Sequence, residues 1–420
     1  VIDRAAILAV GSELLTSTFV DTNSLYITGE LERLGVCVAY KSVVGDDRDE
    51  LAVAIRQALS RVDLLVCTGG LGPTDDDVTR EVVAEVLGRE LREDARITAQ
   101  IEARFVARGL VMPGINRRQA MVPAGAIVLD NRNGTAPGLW IDAGEQVVVL
   151  LPGPPRELKP MLADAIERRL APRTSGLALA RRVIRVTGRT ESQTEEAVRS
   201  LYDTWARAPV PVSATILASL GQIDLHLTAL AATQREVEAV LAAAAGEVVE
   251  RLGLDVYSDN GLKLERVVGD LLIARGLRMA VAESCTGGLL ASRLTDVPGS
   301  SQYVDRGIVA YANAAKVELL GVPQSLLDAE GAVNEPVAVA MATGVAARAG
   351  VEVGVGVTGI AGPDGGTPAK PVGTVAIAAV VPGAVASRTY RFVGDREQVK
   401  FQSTQAALDM VRRALLTARP

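Results

Sequence analysis

Glu283-Ser284-Cys285-Thr286-Gly287-Gly288 stands at a joint: the run before it, Leu277 to Ala282, has the pattern of a buried strand, and Gly287 to Leu294 has that of a helix opening on glycine. The first amides of such a helix have no intrahelical acceptor, so they are free to hold an anion. A hydroxyl and a thiol, Ser284 and Cys285, sit at the same joint. A second joint follows where the Val-rich segment Val355-Gly356-Val357 runs into Thr358-Gly359-Ile360-Ala361-Gly362-Pro363-Asp364-Gly365-Gly366. Two glycine-rich loops at strand ends predict one pocket between them in an α/β fold.

Working outward, the chain of 420 residues is 48% hydrophobic, too long for one ordinary core, which predicts two or three domains. Aromatics make up 3% and the formal net charge is −6. That balance supplies neither the basic surface nor the stacking platforms of open-ended nucleic-acid binding, so no nucleic-acid partner is expected. Cys37, Cys67 and Cys285 show no metal-ligand or disulfide spacing. The first residues, Val1 to Leu8, do not read as a signal peptide, and every apolar run is interrupted by Gly, Pro or charge before it could span a bilayer. A soluble, cytoplasmic protein with no membrane partner is the expectation.

From Ala5 to about Leu170, strand patterns at Ile7 to Val10, Val36 to Val43, Leu64 to Cys67 and Val147 to Leu151 alternate with helical stretches starting near Thr22, Asp49, Asp77 and Arg156. Pro172 to Gly176 reads as a linker. From Ala180 the order becomes strand, helix, two strands around Ile216 and Leu225, and a long helix from Gln234 to Leu252, which is a small α+β module. After Ser258-Asp259-Asn260-Gly261 a second α/β pattern runs to the end. The predicted architecture is therefore two α/β domains with mainly parallel or mixed sheets, at 1–172 and 258–420, joined by the α+β module at 173–257.

Amide or ester hydrolysis needs a nucleophile, a base within hydrogen-bond reach and donors for the oxyanion. Ser284 can be the nucleophile. The only histidine, His226, shares the polar side of an alternating strand with Asp224 and Thr228, which reads as a solvated sheet face. A lysine base is left to consider, and the six lysines are Lys41, Lys159, Lys263, Lys316, Lys370 and Lys400. Lys316 stands out because Gly307 to Lys316 is a strand leading into a turn and a helix start, with Tyr311 and Asn313 beside it. Burial lowers the pKa of a lysine and lets it accept a proton. On spacing alone, the plainer reading leads for both: Ser284 as a helix cap and Lys316 as a surface helix residue. Cys285, beside a helix N-terminus, reads either as an acidified, reactive thiol or as a small packed hydrophobe, the packed reading coming first.

The segment from about Leu262 onward, including Ala282 to Gly288, Gly331 to Pro336, Thr358 to Gly366, Lys370 to Thr374 and Gly394-Asp395-Arg396, resembles the CinA C-terminal family of nicotinamide mononucleotide deamidases. The resemblance implies a Ser-Lys mechanism without a cofactor, with Ser284 as nucleophile, Lys316 as its partner and Tyr311 close by. It further implies that the Thr358-Gly359 loop helps form the substrate and oxyanion site and that Arg396 meets the phosphate. Thr286, Gly287, Gly288, Asn313 and Gly362 complete the expected substrate side. Asn334 departs from the family, where serine is commoner.

Thr68-Gly69-Gly70-Leu71-Gly72-Pro73-Thr74-Asp75-Asp76-Asp77 follows a buried strand and opens a helix. Glycine amides approach phosphate closely, while successive aspartates repel it unless a divalent cation intervenes. Taken alone the loop reads better as a turn with Asp caps, but with the other strand-end loops the pattern predicts a metal-bridged phosphate ester, with Gly69, Gly70, Gly72, Thr74 and Gly153 near phosphate. Asp76 and Asp77 are the expected metal ligands, with Glu13 and Asp75 as further candidates. With Gly11 to Leu15, Asp21 to Ser24, Gly134 to Gly138 and Leu151 to Glu157, this loop resembles the molybdopterin-binding-like domain that precedes the deamidase in CinA proteins, where it is associated with metal-dependent ADP-ribose pyrophosphatase activity. The middle module resembles their KH-like insert but lacks a GxxG clamp. The resemblance thus implies pyridine-nucleotide salvage by a homodimeric hydrolase acting on nicotinamide mononucleotide and ADP-ribose. The alternative is a pterin- or nucleotide-binding sensor or adaptor linked to competence or DNA damage.

Overall fold

A computed structural model describes residues 1–418. The strands are β1 (Arg4–Val10), β2 (Cys37–Val44), β3 (Leu64–Thr68), β4 (Leu91–Glu93), β5 (Met121–Pro123), β6 (Ile127–Leu129), β7 (Gly138–Ala143), β8 (Gln146–Leu151), β9 (Ala178–Val186), β10 (Val212–Ser219), β11 (Gln222–Ala231), β12 (Val256–Ser258), β13 (Met279–Glu283), β14 (Val304–Val309), β15 (Val353–Gly359), β16 (Thr374–Val381) and β17 (Ala384–Arg391). The chain forms two compact units, Val1–Ala180 with Ala229–Glu238, and Arg181–Thr228 with the chain from Ala239 onward.

In the first unit a six-stranded sheet has the order β2-β1-β3-β8-β7-β6. Strands β2, β1, β3 and β8 run parallel, while β7 and β6 return antiparallel. Successive side chains of β1 serve opposite cores, because the pleat alternates them. Ala6, Leu8 and Val10 pack with Leu51, Ile55 and Val82, and Ala5 and Ile7 pack with Ile27, Leu31, Leu158 and Met161. A strand covered on both faces must be apolar throughout, which is why β1 and β3 read as unbroken hydrophobic runs.

The C-terminal sheet, β14-β13-β15-β16-β17, repeats this logic. Its first three strands are parallel and β16 and β17 are antiparallel. Met279 and Val281 of β13 pack with Val268, Leu408 and Val411 on one face, and Ala280 and Ala282 pack with Leu320, Val337 and Met341 on the other. Both sheets are thus mixed rather than wholly parallel, within the α/β class expected. The β10-β11-β9-β12 sheet carries the alternation foreseen on β11, where Ile223, Leu225 and Leu227 are buried and His226 lies half-buried on the opposite side. The helix after it spans Gln234–Leu252, as the sequence predicts.

Two boundary differences bear on chemistry. The strand before the nucleophile loop runs one residue further than expected, so that Glu283 is inside the sheet and fully buried. The following helix spans Leu289–Thr295 instead of opening at Gly287, because Gly287 and Gly288 are left-handed, at φ +61° and +96°. Among the described residues no helix is long and apolar enough to cross a membrane.

Candidate active site

Ser284 leaves the end of β13, with its amide donating to the Val357 carbonyl of the neighbouring β15 (2.9 Å). Lys316 lies in the first turn of the helix Asn313–Leu320, which follows β14 on the other side of β13. The parallel sheet brings both to its carboxyl edge, and Lys316 Nζ donates to Ser284 Oγ at 3.0 Å. Both residues are buried. The same nitrogen donates to the main-chain carbonyls of Ala310 (3.0 Å) and Tyr311 (3.1 Å). Desolvation holds the Lys316 ammonium below the ordinary lysine range. In the neutral amine the two N–H groups satisfy the two carbonyls, and the lone pair is left to face the Ser284 hydroxyl. Cys285, beside the nucleophile, is buried, and burial pushes its thiol up to about 12, as a packed residue rather than a reactive one.

The helix amides expected to receive an anion are partly taken. Glu283, fully buried, accepts from the Gly288 and Leu290 amides (both 3.0 Å) with Oε2 and from the Ala291 amide (2.8 Å) with Oε1. The Gly287 amide donates to the Ser284 carbonyl (3.1 Å). Gly287 and Gly288 are therefore corrected from oxyanion donors to loop-formers, because a carboxylate from the sheet and the loop's own turn already use their N–H groups. The Thr286 amide meets no acceptor among the described residues, and the Thr286 hydroxyl is buried without a partner. Glu283 is the functional residue the sequence reading missed: it was visible in the motif, but nothing local distinguishes a carboxylate that turns back onto its own loop.

Tyr311 also differs from expectation. Its carbonyl holds Lys316, while its ring is exposed and its hydroxyl accepts from Arg396 (3.0 Å). Arg396 donates as well to the carbonyl of Gly362 (2.7 Å), so the β15 loop, Tyr311 and Arg396 meet at one rim. Thr358 is buried with its hydroxyl donating to Ala332 O (2.8 Å), Gly359 ends β15 half-buried, and Asn313 is exposed at the start of its helix. Asn334 caps the helix Glu335–Ala349 by accepting from the Val337 amide (2.8 Å), which is the work a serine does at such a position.

The glycine loop of the first unit borders a separate cavity of about 630 Å³, lined among others by Glu13, Asn23, Gly69 to Gly72, Asp76, Asp77 and Gly153. Gly69 is left-handed at φ +101°, and a Cβ there would lie 2.1 Å from the Val10 carbonyl, so only glycine allows the loop to press onto β1. Its amide is used on Leu151 O (3.0 Å), whereas the Gly70 and Leu71 amides meet no acceptor among the described residues. Gly153 offers its carbonyl to Asn23 (2.7 Å). Asp77 accepts from the Gly72 amide (2.7 Å), the Thr74 amide (2.9 Å) and the Thr74 hydroxyl. That makes Asp77 the clasp of the loop. Asp75 is fully exposed and pairs with Arg118 (3.0 Å). Thr74 is exposed and outside the cavity lining. Of the four expected ligands, Asp76 and Glu13 line the cavity without clasping the loop as Asp77 does, and the Thr74 hydroxyl beside Asp76 holds its carboxyl below the usual range. Among the described residues no group of three or more His, Cys, Asp or Glu side chains is placed to hold a metal ion. The donors present do not fit a cation held by protein alone.

Family comparisons match the three segments in order: residues 6–172 to "Probable molybdopterin binding domain", 181–258 to "Damage-inducible protein CinA KH domain" and 262–415 to "CinA C-terminal domain". This is the domain composition of a CinA-type protein. The chain is 47% identical to a protein of Symbiobacterium thermophilum named as competence-damage inducible, over 98% of this chain and 99% of that one. It is 44% identical to a CinA-like protein of Koribacter versatilis, over 98% and 100%. The chain belongs to the CinA-like family. The crystal structure of a competence/damage inducible protein from Agrobacterium tumefaciens is 41% identical, covering 37% of this chain and 94% of that one, with a TM-score of 0.36.

Proposed function

We propose that the C-terminal domain is a serine-lysine amidohydrolase that converts nicotinamide mononucleotide to the acid and ammonia. The observation that carries the reading is the Lys316–Ser284 contact of 3.0 Å, with the other donors of the lysine committed to carbonyls. Neutral Lys316 takes the Ser284 proton as Oγ attacks the carboxamide carbon. The Thr286 amide receives the oxyanion that forms. Collapse of the tetrahedral adduct expels ammonia with the proton returned from Lys316, leaving an acyl ester on Ser284. Water then attacks that ester, with Lys316 again the base. All the groups in this sequence belong to the chain, so turnover needs no cofactor.

For the first unit we propose a nucleotide-phosphate site at the Gly70 and Leu71 amides, with ADP-ribose as substrate for pyrophosphate cleavage. A second reading is that the pocket binds a nucleotide or pterin without cleaving it, and it is favoured by the commitment of Asp77 to the Gly72 amide and to Thr74. One experiment separates the possibilities: the purified protein is incubated with nicotinamide mononucleotide and with ADP-ribose, each with and without chelator, and ammonia, AMP and ribose phosphate are measured. Ammonia release unaffected by chelator supports the amidohydrolase. AMP release separates cleavage from binding, and its absence alongside tight ligand binding favours the second reading.

A further inference from the structure

Lys400 lies one turn beyond Arg396 on the helix Arg396–Thr417, so the two side chains share a face. Its ammonium approaches the nucleophile loop: a Cβ built on the left-handed Gly287 would stand 3.8 Å from Lys400 Nζ. Arg396 reaches the same rim through Gly362 and Tyr311, and those bonds occupy part of its guanidinium. Lys400 is half-buried and makes no hydrogen bond or ion pair among the described residues, not even with Glu397 in the preceding turn. An ammonium without a counter-charge beside the nucleophile loop leaves three donors open, and an anion arriving with the substrate supplies their partner.

We propose that Lys400 is the principal seat of the substrate's phosphate, with Arg396 as its second cation, and that Lys400 makes the site prefer a phosphorylated nucleoside carboxamide over the unphosphorylated one. The inference rests on the amidohydrolase reading for the carboxamide end of the substrate. Two cations one helical turn apart match a dianion better than a single carboxylate. The three open donors of Lys400 add the point charge that Arg396, already engaged, supplies only in part. Because Lys400 binds the end of the substrate remote from Ser284, it acts on binding more than on the chemical step.

The test compares nicotinamide mononucleotide with nicotinamide riboside in the full-length wild type, Lys400→Met and Lys400→Arg. Loss of one charge-assisted contact predicts a rise of roughly ten- to hundredfold in KM for the mononucleotide in Lys400→Met. Its kcat should change little, the preference over the riboside should fall by the same factor, and Lys400→Arg should recover most of it. An unchanged preference overturns the proposal, as does a loss confined to kcat. To separate this outcome from failure of the amidohydrolase reading, the mononucleotide and inorganic phosphate are also titrated calorimetrically into Ser284→Ala and into Ser284→Ala with Lys400→Met. Weaker binding in the double variant supports the phosphate seat even if the wild type releases no ammonia. Equal binding, or no binding by either protein, overturns it.

Discussion

Lys316 Nζ stands 3.0 Å from Ser284 Oγ, with its two remaining contacts going to main-chain carbonyls. No side chain is needed to aim this lysine. The carbonyls of Ala310 and Tyr311 hold it, and they do so in either protonation state because the amine retains two N–H donors. Desolvation favours the neutral form, and the neutral form is the base.

Activity should therefore rise with pH on a single limb. As the ammonium of Lys316 is held below its ordinary value of 10.5, kcat/KM for nicotinamide mononucleotide should climb as pH rises through that lowered pKa and level off before the range of a free lysine. Lys316→Arg, which stays protonated, should be nearly as damaging as Lys316→Ala, each losing on the order of a thousandfold or more in kcat. A pH-rate profile and single-turnover ammonia release check both points.

Ser284→Ala should abolish turnover and leave mononucleotide binding largely intact, and combining it with Lys316→Ala should add little further loss. Cys285→Ala should retain most activity, since its buried thiol, raised to about 12, is not a nucleophile at neutral pH. Ammonia release in the two single variants decides the matter: an inactive Cys285→Ala beside an active Ser284→Ala would transfer the role to the thiol.

Glu283→Ala should destabilise the protein by about 3 kcal/mol or more, because the Leu290 amide, which is buried, and the half-buried Gly288 and Ala291 amides lose their shared acceptor at once. Glu283→Gln, which offers one oxygen and places an N–H₂ group among donors, should fall between. Urea midpoints measure the stability change. If Glu283→Ala unfolds at the wild-type midpoint, the three hydrogen bonds do not hold the loop.

In the first unit, Asp77 and Asp76 should separate. Asp77→Ala removes the acceptor shared by Gly72 and Thr74 and should lower both stability and ADP-ribose affinity, with or without chelator. Asp76→Ala should leave the thermal midpoint close to wild type and reduce any AMP release. Differential scanning fluorimetry with nucleotide titration checks the pair. A wild-type midpoint and affinity in Asp77→Ala would remove its role as the clasp.

Ser284 and Lys316 were legible because they belong to short local patterns and because lysine is scarce, although they stand 32 residues apart. The three-domain order was legible too, through the shift from strand-helix alternation to the α+β pattern between Ala180 and Leu252. Other residues were not. Lys400 was one of six lysines with nothing in its neighbourhood to single it out. Tyr311 was expected close to the pair, and what was not legible is that its carbonyl, not its ring, touches the lysine while its hydroxyl goes to Arg396. Asp77 reads as a metal ligand in the sequence because charge is visible there, whereas its use on the Gly72 amide and on Thr74 is not.

The sequence by itself determined where strands lie, which of them are covered on both faces, and where glycine-rich joints interrupt them. Those properties follow from the alternation of side chains and from local backbone preferences. Only the tertiary structure decided which amides stay available to a ligand and which cations stay unpaired. The sheet carries Lys316 to Ser284 across 32 residues, and even the short-range choice by which Glu283 turns back onto the Gly288, Leu290 and Ala291 amides depends on the carboxylate being buried inside the sheet.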